Sequence, residues 1–169
     1  MNNQTGKEAF LQLIQQNRGI IFKICNAYCA DKNSREDLAQ EIIYHLWKAS
    51  KTFDGTYKFT TWMYRIALNV AISFYRKENK TNPTISLSEN NIDIEDKAEN
   101  IYSTEENIML LQQFLKELKE LDRALMILYL EAKSYSEIAE IIGITETNVA
   151  TKINRIKEKL KQKFSIINK

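Results

Sequence analysis

One proline and four glycines are the whole supply of strong chain breakers in 169 residues. A sheet protein of this length needs more turns than that, so an all-α fold is predicted. Histidine and cysteine are as scarce: His45, Cys25 and Cys29 are the complete set. Three such ligands leave a structural zinc site without its usual fourth, so no metal is expected. The cysteines, four residues apart on one side of any helix, are expected as buried free thiols in a reducing cytosol. No apolar run approaches the length that crosses a bilayer, and none follows a basic start, so a cytoplasmic location without membrane insertion is expected. A glycine-rich phosphate loop and a nucleophile–base constellation are both missing. That argues against an enzyme and gives no reason to expect a cofactor.

Charge is plentiful and segregated by sign, although the formal net charge is only +2. Residues 1–80 hold 12 basic and 7 acidic side chains, 81–108 hold 1 and 7, 109–144 hold 4 and 6, and 145–169 hold 7 and 2. Two basic ends around an acidic middle suggest two separate nucleic-acid contacts. With 44% hydrophobic residues the chain can also fill two small cores.

The stretch from Ser134 to Lys161 reads as two short helices joined by a tight turn. Ser134 stands three residues before Glu137, the capping-box spacing. The first helix is expected to bury Ile138, Ala139 and Ile142, with Gly143 supplying a left-handed exit and Thr145 capping the next helix. Val149, Ile153, Ile156 and Leu160 form one stripe of that second helix. Its other face carries Thr147, Asn148, Thr151, Asn154 and Arg155, groups suited to base edges and phosphates in a major groove. An ordinary αα-hairpin with a solvated basic face fits the same spacing.

Upstream, residues 1–6 are polar and expected to be disordered, and a helix starts at Lys7 with a break near Asn17 to Gly19. Ser34 is expected to cap the next helix, whose inward residues are Leu38, Ile42, Leu46 and Ala49. The opposite face shows Asp37, Gln40, Glu41, Tyr44 and Lys48. A solvated face and a partner-binding face are both open on pattern alone.

From Lys51 to Arg65, aromatics alternate with cations around a turn at Asp54-Gly55, as single-stranded nucleic acid requires: rings stack bases and cations follow phosphates. Some rings must instead be core, Phe59 first among them, in a stripe with Met63, Ile66, Val70 and Phe74. Arg65, Asn69, Ile72, Ser73 and Arg76 form the outward ridge. Asn69 is placed to hold the edge of a base drawn from the stack, and an idle surface asparagine fits the same position. Residues 81–103, with the only proline at Pro83, read as a flexible acidic linker. Ser103 and Glu106 then begin a helix with the stripe Ile108, Leu111, Leu115 and Leu118. Asp122 caps another bearing Leu125, Met126, Leu128 and Tyr129.

Taken together, Asp37-Leu38-Ala39-Gln40-Glu41, Phe53-Asp54-Gly55 through Phe59-Thr60-Thr61-Trp62, Tyr64-Arg65-Ile66-Ala67-Leu68-Asn69 and the terminal EIAEIIGITETNVATKINRIKEKL resemble a bacterial sigma factor of the extracytoplasmic-function group of the sigma-70 family. The resemblance implies two small helical domains: sigma region 2 at 1–80 and the helix-turn-helix sigma region 4 at 104–169, joined by the linker at 81–103. It implies a transcription-initiation factor that binds core RNA polymerase, directs it to specific promoters and promotes strand opening at the minus-ten element. Asp37, Gln40, Glu41 and Tyr44 would dock on the polymerase clamp. Trp62, Tyr64, Arg65, Asn69, Ser73 and Arg76 would meet minus-ten DNA, duplex and melted strand. Asn148, Thr151, Lys152, Asn154 and Arg155 would read the minus-thirty-five element. Family members are often held inactive by an anti-sigma factor, which makes one a possible partner. Two positions depart from the common pattern: Ala150 and Asp54 stand where basic residues are frequent. A plain helix-turn-helix regulator would account for Ser134 to Lys161 and leave Asp37 to Asn69 unexplained.

Overall fold

The computed structural model describes residues 3–81 and 104–167, and every regular element in them is helical. The expected linker, apart from Thr81, lies outside the described residues, as does Ser103. The helices are α1 (Asn3–Gln16), α2 (Arg18–Tyr28), α3 (Lys32–Ala49), α4 (Phe59–Thr81), α5 (Thr104–Glu117), α6 (Glu120–Leu130), α7 (Tyr135–Ile142) and α8 (Glu146–Ile167), with a 3₁₀ turn at Ser50–Thr52.

Helix α1 begins inside the stretch expected to be disordered. Polarity does not forbid a helix there, and one glycine costs only about 1 kcal/mol. The break falls at Asn17, whose side-chain amide donates to the Leu13 carbonyl at 2.8 Å. The N-cap of helix α3 lies three residues before the predicted one. Asp31 is the N-cap and accepts from the Ser34 amide at 2.8 Å, so Ser34 lies within the first turn. Both residues can cap; the carboxylate met first in the chain also favours the positive end of the helix dipole.

Leu38, Ile42 and Leu46 are fully buried, each contributing about 1.5–3 kcal/mol by removal from water. They face α2 and α4. Ala49 is only half-buried. On α4 the buried residues are Thr61, Met63, Tyr64, Ala67, Leu68 and Ala71. The predicted stripe Phe59, Ile66, Val70 and Phe74 is half-buried, with Met63 its one buried member. Small Ala67 and Ala71 let neighbouring helices approach closely, a packing role that apolar periodicity weights too lightly.

In the C-terminal half, α6 opens at Glu120 with Lys119 at the N-cap and no side-chain cap bond, so Asp122 sits in its first turn instead of capping it. Phe114 and Leu118 are buried from the α5 region, whereas Ile108 is half exposed and Leu111 half-buried. The predicted α5 stripe is therefore rotated toward Phe114. Cys25 and Cys29 are buried free thiols, and burial pushes them up to about 11 and about 12.

The two halves touch. Buried side chains from α1 through α4 and from α6 through α8 form one continuous core cluster. A smaller one gathers Phe114, Leu118, Met126 and Ile156. At the seam lies Arg123, 2% exposed, its guanidinium between the rings of Tyr28 and Tyr75 at 5.1 and 4.8 Å. It donates to the carbonyls of Leu115, Lys116 and Leu118 in its own half and of Ala27 across the seam. Those oxygens belong to the C-terminal ends of α5 and α2, where carbonyls lack intrahelical donors and the helix dipole is negative. One cation thus caps two helices.

Candidate functional site

The structure separates the expected site residues into three surfaces. The first is the outer face of α3, where Asp37, Gln40, Glu41 and Tyr44 are all exposed because the apolar stripe turns the other way. Tyr44 is 59% exposed and packs edge-on to His45, which lies 3.8 Å from Glu41. Ile43 and Trp47 are also substantially exposed here. Helical spacing had not singled these two out, yet apolar area beside acidic and amide groups is what a protein interface favours.

The second surface belongs to α4 and the loop before it. Asp54 accepts from the Thr56 amide at 2.9 Å, and Gly55 takes the left-handed backbone that the turn requires (φ 79°). Phe53, Phe59 and Trp62 cluster with Phe10 at centroid distances of 5.3 to 5.9 Å. Much of the aromatic run is therefore structural, and Trp62 is a half-buried member of that cluster. Tyr57 stays outside, 40% exposed, with the Arg65 guanidinium 5.4 Å from its ring centre.

The side chains of Asn69 and Ser73 are exposed and make no hydrogen bond among the described residues. They line a cleft between α3 and α4 of about 440 Å³, together with Glu41, His45, Ala49, Ile66, Val70, Phe74 and Lys77. Glu41, expected on the docking face, thus shares this cleft with the two polar side chains of α4. An open cleft with amide, hydroxyl and cationic groups over apolar walls suits a flat polar ring.

Tyr64, Arg65 and Arg76 bond instead to the C-terminal half. Tyr64 is buried, its hydroxyl 3.4 Å from Glu131, and burial followed by that carboxylate pushes its phenol up to about 12. Arg65 donates to the Glu140 carbonyl at 2.6 Å. Arg76 donates to Glu120 at 2.6 Å, and this bond holds the Glu120 carboxyl below its usual range.

The third surface is the α7–α8 pair. Ser134 and Glu137 form the capping box, with bonds of 3.1 and 3.0 Å. Gly143 adopts φ 81°, and the Thr145 hydroxyl accepts from the Asn148 amide at 3.2 Å. Ile138 and Ile141 are the buried residues of α7, while Ala139 and Ile142 are half-buried. Val149, Ile153 and Ile156 are buried and Leu160 half-buried, so α8 turns Thr147, Asn148, Thr151, Asn154 and Arg155 outward, with Lys152 half-buried beside them. Short polar groups on a firmly seated helix can enter a groove without first losing much freedom. Among the described residues no helix is long and apolar enough to cross a membrane, and no His, Cys, Asp and Glu cluster could hold a metal ion.

Comparison with known proteins matches both halves. Residues 13–81 match sigma-70 region 2, and residues 108–160 match sigma-70, region 4. The RNA polymerase sigma factor YlaC of Bacillus subtilis (strain 168) is 32% identical over 133 residues, 77% of this chain and 77% of that protein. The ECF RNA polymerase sigma factor SigW of the same strain is 26% identical over 168 residues, 94% and 90% of the two chains. A co-crystal structure of the sigma factor RpoE with the anti-sigma factor NepR from Bartonella quintana superposes with a TM-score of 0.71 at 17% identity, covering 94% of this chain and 98% of that one. At that identity the likeness shows the fold.

Proposed function

The chain belongs to the sigma-70 family, in its extracytoplasmic-function group, and we propose that it binds core RNA polymerase, directs it to specific promoters and promotes strand opening at the minus-ten element. The observation that carries this reading is the presence, in order on one chain, of a region 2 match with an exposed α3 face and a region 4 match with a seated reading helix. A lone helix-turn-helix regulator needs only the second. In this role the chain is a regulatory initiation factor, and bond-making belongs to the polymerase. Run-off transcription from genomic fragments tests the proposal. Core polymerase supplemented with this chain should give discrete transcripts that core alone does not, and identical transcript patterns would reject it.

The α3 face is the proposed docking surface: Asp37, Gln40 and Glu41 offer charge and hydrogen bonds, and Tyr44, with Ile43 and Trp47, offers apolar area. Asp37→Ala with Glu41→Ala should weaken association with core polymerase at least tenfold, since truncating hydrogen-bonded charges at an interface costs about 2–5 kcal/mol. Both residues are exposed, so folding should be untouched. Undiminished co-purification with core would remove the docking assignment.

Region 4 is proposed to hold the minus-thirty-five duplex through Asn148, Thr151, Lys152, Asn154 and Arg155. Arg155→Ala should lower duplex affinity by about 1–3 kcal/mol, the worth of one base or phosphate contact. A footprint of unchanged strength upstream would reject that role. The minus-ten assignment rests on Asn69 and Ser73 beside the α3–α4 cleft, with Trp62, Tyr64, Arg65 and Arg76 on the same helix. An anti-sigma factor is a further proposed partner; the RpoE structure is a complex with one.

A further inference from the structure

We propose that His45 is a DNA-contacting residue of the α3–α4 cleft, its protonated imidazole donating to a phosphate of the melted minus-ten strand, so that strand binding takes up a proton. The inference rests on the reading of that cleft as the minus-ten site, and it adds the α3 wall to a contact assigned above to α4 alone. His45 is the chain's one histidine. It stands midway along the α3 wall, one helical turn from Glu41 and one from Ala49, which line the same cleft. On the other wall are Asn69 and Ser73, the groups that would hold a base edge. A base drawn in between them brings its own phosphate to the rim of the cleft.

The charged groups lining the cleft are Glu41 and His45 from α3 and Lys77 from α4. With a neutral imidazole, Glu41 and Lys77 cancel and an entering phosphate gains little. A proton on His45 leaves the cleft cationic. Its Nε2 lies 3.8 Å from a Glu41 carboxylate oxygen, near enough for that charge to favour the proton and too far for a hydrogen bond. The His45 side chain is 45% exposed and makes no hydrogen bond among the described residues, so its ring N–H groups are available to a ligand. The Tyr44 ring packs edge-on against it at a centroid distance of 5.6 Å, which steadies the plane of the imidazole. Histidine is the side chain that changes charge between about pH 5 and 8. Because the strand-bound form holds the proton more firmly than the free form, affinity rises as pH falls through that range, by at most about tenfold per pH unit for one proton.

The test uses holoenzyme, core polymerase saturated with the full chain, and a labelled mixed-sequence single-stranded DNA 12-mer as probe. Affinity is measured from about pH 8 to about pH 6, the span over which an imidazole gains its charge. Wild type should tighten severalfold toward the acid end. His45→Gln, which hydrogen-bonds without titrating, should keep the weaker affinity throughout, and His45→Lys, charged at every pH used, the tighter one. Core polymerase contributes equally to all three. Salt supplies a second reading: at the acid end the slope of log affinity against log salt should be steeper for wild type than for His45→Gln by about 0.7, the value of one phosphate contact on a single strand. Asn69→Ala should weaken binding by the same factor at both ends and leave the pH dependence in place. Parallel pH profiles for wild type and His45→Gln would overturn the proposal through the histidine. An Asn69→Ala holoenzyme with wild-type affinity would overturn it through the reading of the cleft on which it rests.

Discussion

Replacing Arg123 by Leu should cost about 3–5 kcal/mol of stability, a large part of what a chain of this size possesses. The guanidinium serves four carbonyls and two aromatic faces while almost fully buried. Leucine fills much of the same space but donates nothing, and each buried carbonyl left unpaired costs about 1–3 kcal/mol. The total stays below a simple sum because water can reach those near the surface once the seam loosens. Arg123→Lys should rescue little, since an ammonium cannot reproduce a planar fork that reaches Leu115, Ala27 and Lys116 in three directions. Urea unfolding monitored by helical circular dichroism measures both variants. A loss under 1 kcal/mol for the leucine variant would mean that the carbonyls find other donors and that the two-helix cap is dispensable.

The largest functional effect is expected from Asn69→Ala with Ser73→Ala. Both side chains are exposed and unbonded among the described residues, so stability should change by no more than about 0.5 kcal/mol. A well-aligned base contact is worth about 1–3 kcal/mol. Run-off transcription from a duplex promoter should therefore fall at least about tenfold, with core association intact. On a template already unpaired across the minus-ten element, part of the loss should disappear, because the energetic demand on the cleft is then smaller. Full activity of the double variant on duplex templates would take Asn69 and Ser73 out of the minus-ten surface.

How far the sequence discloses this molecule depends on the reach of the contact. The α7–α8 turn was legible almost residue by residue because its determinants are local. A capping box, a left-handed glycine and a hydroxyl cap all act within four positions, and the Val149–Ile153–Ile156 stripe repeats within one helix. The exposed face of α3 was legible for the same reason. Helix starts were misjudged where two cap-capable residues compete, as with Asp31 and Ser34, or where a helix begins without a side-chain cap, as at Lys119.

Arg123 was invisible. Its partner at Ala27 lies 96 residues away, and one arginine in an apolar run looks like a surface residue until two helix ends converge on it. Tyr64 and Glu131, 67 residues apart, present the same difficulty. The α4 face therefore reads as a DNA surface from the sequence, while in the fold the C-terminal half bonds to Tyr64, Arg65 and Arg76 on it. The aromatic loop divided along the same line. Phe59 and Trp62 are held by Phe10 from α1, a contact between the two ends of the N-terminal half's aromatic set, and Phe53 packs on Phe59 and Trp62, whereas Tyr57 is 40% exposed.

The two thiols at the C-terminal end of α2 give the N-terminal half a built-in stopwatch. Cys25 and Cys29 are 3% and 4% exposed, and burial raises both far above neutral pH, so an alkylating reagent meets neither a surface nor a thiolate while the bundle is intact. Modification must wait for α2 to lift from α3 and α4. The rate at which the native protein takes up label, at saturating reagent, counts those excursions directly, without any introduced probe.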